Sequence, residues 1–185
     1  MRLTILVDMD GIIVDLLTPW LTRINNCCGQ ILTKDDITTW HMPEVKCPHV
    51  FKFLDESLFL NAPAIPYAIQ TLKTWADTHD VLLLTAPAPD PKTASAKLVW
   101  VQNHLGWGRE RVILTSRKEL VFGDVLIDDK PSTLLEYKRA WPNALLMTID
   151  YVYTRDAQAD VIAPFETAWK PGGAFDNAIK ELSKT

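Results

Sequence analysis

The sequence predicts a doubly wound, mostly parallel, Rossmann-like α/β sheet with a small helical cap inserted after its first strand. Three observations lead there. Five short apolar runs lack the in–out alternation of a half-exposed strand, as parallel strands covered on both faces do. Helical patterns opened by proline or a capping acid fall between those runs. Residues 16–62 break the rhythm with helical fragments alone. The expected division is a core of residues 1–15 and 63–185 and a cap of residues 16–62.

The elements follow in order. The first strand is "LTILVD" (3–8). The cap should hold helical fragments at 16–26, at "TKDDITTW" (33–40), where Thr33 and Asp36 form a capping pair, and at 45–57. "NAPAIP" (61–66) reads as the return linker. Pro66 opens a helix, "VLLLT" (81–85) is the next strand, and Asp90-Pro91 opens a helix with an N-cap and a proline at its first position. Gly106 stands where a helix C-cap belongs. "RVILT" (111–115), "DVLIDD" (124–129), the helix from Pro131 and "ALLMTI" (144–149) complete the series.

The 185 residues are 48% hydrophobic and 23% charged, with a net charge of −4. That balance disfavours a nucleic-acid polymer as partner, because a groove tracking a phosphate backbone is normally basic. No stretch reaches the roughly 18–20 apolar residues of a membrane span. Cys27, Cys28 and Cys47, an odd count with an adjacent pair, are expected to be reduced thiols, which points to a cytoplasmic location. The histidines at 41, 49, 79 and 104 have no ligand-like spacing. His79 and His104 read as surface residues, and His41 as one that could line a pocket.

Chemistry concentrates at strand ends. The first strand runs into Asp8 and Asp10, and "DVLIDDKP" ends on Asp128 and Asp129. An Asp-Gly hairpin would explain the first pair alone, and an N-cap pair the second. Carboxylates from two neighbouring strands would repel one another unless they held a cation. An all-oxygen site of this kind suits Mg²⁺. Thr85 follows one apolar run, and Ser116, Arg117 and Lys118 follow another. A hydroxyl with backbone N–H groups and a compact positive charge are what a phosphate needs.

The order Asp-x-Asp, Thr, Lys, Asp-Asp resembles the haloacid dehalogenase-like phosphohydrolases. "DMDGIIVD" looks like their first motif, "LLLTAP" the second, Lys118 the third and "LIDD" the fourth. Longer stretches are similar to the 5'(3')-deoxyribonucleotidases over most of residues 1–150. The resemblance implies a Mg²⁺-dependent phosphomonoesterase acting on deoxyribonucleoside monophosphates through an aspartyl-phosphate. The alternative is a phosphatase of the same superfamily acting on a sugar or glycolate phosphate. Asp8 would be the nucleophile and Asp10 the general acid and base. Asp8, the Asp10 carbonyl and Asp129 would ligate the metal, with Asp128 outer-sphere or bonded to Lys118. Thr85, Ala86 and Lys118 would hold the phosphoryl oxygens, and Trp40 and Phe53 would flank the base.

Three positions depart from that family: Leu16 replaces an aromatic residue, Ala86 a serine, and Arg117 is displaced by one place. All three bear on base and sugar preference. Asp15 is expected to be a cap or a salt-bridge partner at the first helix, and Gly11 to permit the turn after Asp10. The expected partners are a small nucleotide and Mg²⁺, with no nucleic-acid polymer and no membrane; a homodimer is compatible with this reading.

Overall fold

The structure is a computed structural model that describes residues 1–48, 50–88 and 90–184. Among these residues six parallel strands form one sheet: β1 (Thr4–Val7), β2 (Asp80–Thr85), β3 (Val112–Leu114), β4 (Val125–Ile127), β5 (Leu145–Ile149) and β6 (Val161–Ala163), in the order β3-β2-β1-β4-β5-β6. The chain steps outward from β1 in both directions, and this reversal of strand order opens a crevice at the carboxyl ends of β1, β2 and β4. Register aligns Val7 with Leu83 on one side and Ile127 on the other.

Both faces of the sheet are covered. Ile5 and Val7 point into the larger apolar cluster, with Trp100, Trp169 and Phe175. Leu6 points the other way, onto Leu84, Leu126, Leu134 and Tyr137. Ile5, Leu6 and Val7 of β1 therefore all bury their side chains, with Thr4 half-buried, which is why the run shows no alternation.

The helices are α1 (Leu17–Cys28), α2 (Glu56–Asn61), α3 (Ala68–Ala76), α4 (Pro91–Leu105), α5 (Pro131–Ala140) and α6 (Ala174–Leu182). Asp90 accepts from the Lys92 N–H at 2.9 Å, and Gly106 closes α4 in the left-handed conformation. α3 begins two residues after Pro66, because Tyr67 adopts a φ of 65°. The expected helix at 33–40 shrinks to a 3₁₀ turn at Lys34–Asp36 held by the Thr33–Asp36 capping box. The 45–57 fragment becomes a 3₁₀ turn at Val50–Phe53 followed by α2, capped by Asp55; His49 lies outside the described residues. β6 and α6 were not foreseen: β6 has three residues, too few for a pattern, and α6 follows a loop.

Two expectations are corrected. Cys28 and Cys47 form a disulfide, and only Cys27 is a free, exposed thiol among the described residues. The α-carbons of the bonded pair stand 5.9 Å apart because the chain after α1 folds back past its C-terminus, a proximity that spacing does not reveal. His79 is buried and accepts the Leu3 N–H through Nδ1 at 3.3 Å, since the turn after α3 folds it under β1. Among the described residues no helix is long and apolar enough to cross a membrane.

Candidate active site

β1 and β4 end side by side, so the residues after them converge. Carboxylate oxygens of Asp8, Asp128 and Asp129 all lie within 4.8 Å of one another, and all three residues are buried. Lys118, on the 3₁₀ turn Lys118–Leu120 after β3, reaches into this cluster. It donates to Asp128 Oδ2 at 2.6 Å and forms an ion pair with Asp8 Oδ1 at 2.9 Å.

The two adjacent aspartates have different surroundings. Both oxygens of Asp128 are engaged, Oδ2 by Lys118 and Oδ1 by the Lys130 N–H at 2.9 Å. Asp129 Oδ2 accepts from the Tyr153 hydroxyl at 2.8 Å. Its Oδ1 is buried with no hydrogen-bond partner among the described residues, and Asp8 Oδ1 makes its ion pair without hydrogen-bond geometry. Burial, followed by the Asp128 and Asp8 charges, raises the Asp129 carboxyl well above the usual carboxylate range. Burial likewise pushes Asp128 up to about 6, against the pull of Lys118. For Lys118, burial disfavours the ammonium, but the Asp128 and Asp8 charges outweigh it and hold the proton more tightly than usual. Three acids and one lysine leave the cluster short of positive charge. Its all-oxygen donors, one of them orphaned, fit a hard divalent cation.

Gly11 makes this approach feasible. Its φ is +73°, and a Cβ there would lie 2.3 Å from Asp129 Oδ2.

Asp10 leaves the strand end on the cleft side. Its Oδ2 accepts from Lys97 Nζ at 2.7 Å. Burial raises the Asp10 carboxyl, Lys97 opposes that, and Asp8 adds to it. Lys97 also donates to the Thr85 hydroxyl oxygen at 2.8 Å and to the Ala86 carbonyl at 2.9 Å. Sequence reasoning missed Lys97. The signal was there: Thr93, Ala96, Lys97, Trp100 and Val101 share the buried face of α4, where an unpaired lysine would be costly.

Above the carboxylates opens a cleft of about 670 Å³. Asp10, Gly11 and Asp129 are at its floor, and Leu16, Ala86, His41 and Trp40 line it as the sequence suggested. Trp20, Phe51, Phe59 and Tyr153 add aromatic wall. Phe53 is not in the wall. The 3₁₀ turn at Val50–Phe53 directs Phe51 to the cleft and packs Phe53 against the core. Arg117 is also elsewhere, exposed and paired with Glu119. Thr85 is fully buried beneath Lys97. Asp15 accepts from the Thr18 N–H and hydroxyl, and so serves the start of α1. Tyr153 was missed because it lies past residue 150; it meets Trp40 edge-to-face at 5.9 Å and stacks on Tyr151 at 5.1 Å.

Comparison with known proteins places the chain among nucleotidases. The family model described as "5' nucleotidase, deoxy (Pyrimidine), cytosolic type C protein" matches residues 2–159. The 5'(3')-deoxyribonucleotidase of Bacillus subtilis is 28% identical over 132 residues, spanning 70% of this chain and 77% of that protein. The enzyme of the same name from Bacillus phage SPbeta gives the same figures. Among solved structures, a conserved haloacid dehalogenase-like protein of unknown function from Agrobacterium tumefaciens superposes with a TM-score of 0.66 at 11% identity. That match covers 99% of this chain and 100% of the other, and at such identity it is a likeness of fold.

Proposed function

The chain belongs to the deoxy-5'-nucleotidase family of the cytosolic C type and is a phosphohydrolase, and from that premise we propose that it cleaves deoxyribonucleoside monophosphates to deoxynucleoside and phosphate. One observation carries the reading: the carboxylate cluster held by Lys118 reaches, through Asp129, a cleft lined also by Asp10 and by mostly apolar side chains, five of them aromatic. The floor suits a phosphate and a cation; the walls suit a flat base, worth roughly 1–3 kcal/mol of stacking per base.

In this mechanism Asp8 attacks phosphorus and forms an aspartyl-phosphate, dividing one difficult displacement into two. Asp10 protonates the departing nucleoside oxygen and then takes a proton from the water that clears the intermediate. Lys118, paired with Asp8 and Asp128, orients the nucleophile and offers positive charge to the phosphoryl oxygens. Thr85 and the Ala86 N–H would hold the remaining oxygens. Asp8, Asp129 and the Asp10 carbonyl would hold Mg²⁺, with Asp128 kept by Lys118 as an outer partner; the unpartnered Asp129 Oδ1 supports that assignment. Bound there, Mg²⁺ supplies positive charge that offsets repulsion between carboxylates and phosphate. Residues 16–62 act as the cap over a core of residues 1–15 and 63–185, and the cap wall selects the substrate.

A phosphate-release screen tests this across deoxyribonucleoside and ribonucleoside monophosphates, sugar phosphates and glycolate phosphate, each with Mg²⁺ and with chelator. The expected result is fastest turnover of a deoxyribonucleoside monophosphate, abolished by chelator and restored by Mg²⁺. Faster turnover of a sugar or glycolate phosphate would overturn the substrate assignment, and full activity in chelator would overturn the metal assignment.

A further inference from the structure

Lys97 is the buried cation that the mechanism above leaves without a task. Its side chain is 2% exposed, on the inner face of α4, with its stem among apolar residues and its ammonium 5.3 Å from the Phe59 ring centre. An ammonium has three N–H donors and no acceptor. All three are used: on Asp10 Oδ2, on the Thr85 hydroxyl oxygen and on the Ala86 carbonyl. We propose that Lys97 is a positioning residue that sets the hydrogen-bond polarity of the site and presents Asp10 for proton transfer to the leaving group. The proposal rests on the reading of Asp10 as the general acid and base.

The reasoning is one of donor and acceptor counting. Because Lys97 can only donate, the Thr85 oxygen must accept from it, and the hydroxyl proton is left to turn to another acceptor. The bond to the Ala86 carbonyl holds the Ala86–Pro87 peptide, one residue beyond Thr85, and with it the backbone just past the end of β2. The bond to Asp10 Oδ2 immobilises that carboxyl, which lines the cleft, and leaves Oδ1 outside the Lys97 contact. One side chain thereby ties the phosphate-binding strand end to the acid and base on the neighbouring strand end. A misplacement of about 1 Å in such a constellation costs about 100-fold in rate.

The test compares two leaving groups. Lys97→Met removes the three donors and keeps an apolar stem. Deoxyribonucleoside monophosphates expel a poor alkoxide that needs a proton, whereas p-nitrophenyl phosphate expels a stable phenolate that does not. The ratio kcat/KM reports the step in which the P–O bond to the leaving group breaks. For the nucleotide it should fall about 100-fold in Lys97→Met, and for p-nitrophenyl phosphate less than about tenfold. Lys97→Arg should recover part of the loss. Lys97→Met combined with Asp10→Asn should lose far less on the nucleotide than the product of the two single losses, because both changes disable the same acid. The extra loss over Asp10→Asn should match the loss on p-nitrophenyl phosphate, which reads the Thr85 and Ala86 bonds. Circular dichroism and melting monitor folding; should the Met variant not fold, Lys97→Gln carries the same comparison. Equal losses on both substrates, or multiplying losses in the double variant, would overturn the role of Lys97 with the nucleotidase reading intact. A wild-type protein inactive on every phosphate monoester would overturn both.

Discussion

At the scale of single residues, neighbours decide what each acid does. Asp128 and Asp129 are adjacent and equally buried, yet one is saturated by Lys118 and the Lys130 N–H while the other keeps a free oxygen. Asp8→Asn, which removes the proposed nucleophile, should lower kcat at least about 10³-fold with circular dichroism unchanged. Tyr153→Phe keeps the ring against Trp40 and Tyr151 and deletes only the bond to Asp129 Oδ2. Loss of a partner behind a metal-ligating carboxylate typically weakens binding about 10–100-fold. Calorimetric titration of Tyr153→Phe with Mg²⁺ should show a shift of that size, and an unchanged affinity would remove Tyr153 from the site.

At the scale of elements, short turns aim the side chains that long elements merely carry. The 3₁₀ turn at Val50–Phe53 gives its two phenylalanines opposite fates, with Phe51 79% exposed in the cleft wall and Phe53 packed inward. Phe51→Ala should therefore raise KM for the nucleotide about tenfold, equivalent to about 1.4 kcal/mol of stacking, with little change in melting temperature. Phe53→Ala should do the reverse, lowering stability by about 2 kcal/mol, since a half-buried ring loses about half of a core deletion. Steady-state kinetics beside thermal melts distinguish the pair. If Phe53→Ala alone raised KM, the assignment of the wall would be reversed.

At the scale of the whole molecule, the C-terminal helix, seated on the core through Phe175 and Ile179, is also tied to it by a carboxylate. Asp176 on α6 accepts from Trp75 Nε1 at 3.2 Å, the Gly172 N–H at 2.7 Å and Lys180 Nζ at 2.7 Å. Burial works against its charge, but the Lys180, Gly172 and Trp75 bonds outweigh it and hold the carboxyl below its ordinary value. A carboxyl lowered in the folded state adds stability above its unfolded pKa of about 3.9, and that stability is lost as pH falls through the folded value. Asp176→Asn should lower stability by about 1–2 kcal/mol at pH 7, with the gap closing below about pH 4 in denaturant titrations at several pH values. A gap independent of pH would mean that the charge of Asp176 contributes nothing. On this scale, too, the amino-acid sequence and the tertiary structure divide the information between them. Apolar runs without alternation, proline-opened helices and acids at strand ends depend on local chemistry and fixed periodicity. The sheet class, β1 to β5, five of the helices, and Asp8, Asp10, Asp128, Asp129 and Lys118 as one constellation were therefore legible in the sequence. Tyr153, the choice of Phe51 over Phe53, the Cys28–Cys47 bond and the partners of Lys97 were not, because each depends on which other segment comes to rest against it. Only the closed tertiary structure determines those distances, and with them which buried polar atoms find partners and which remain for a ligand.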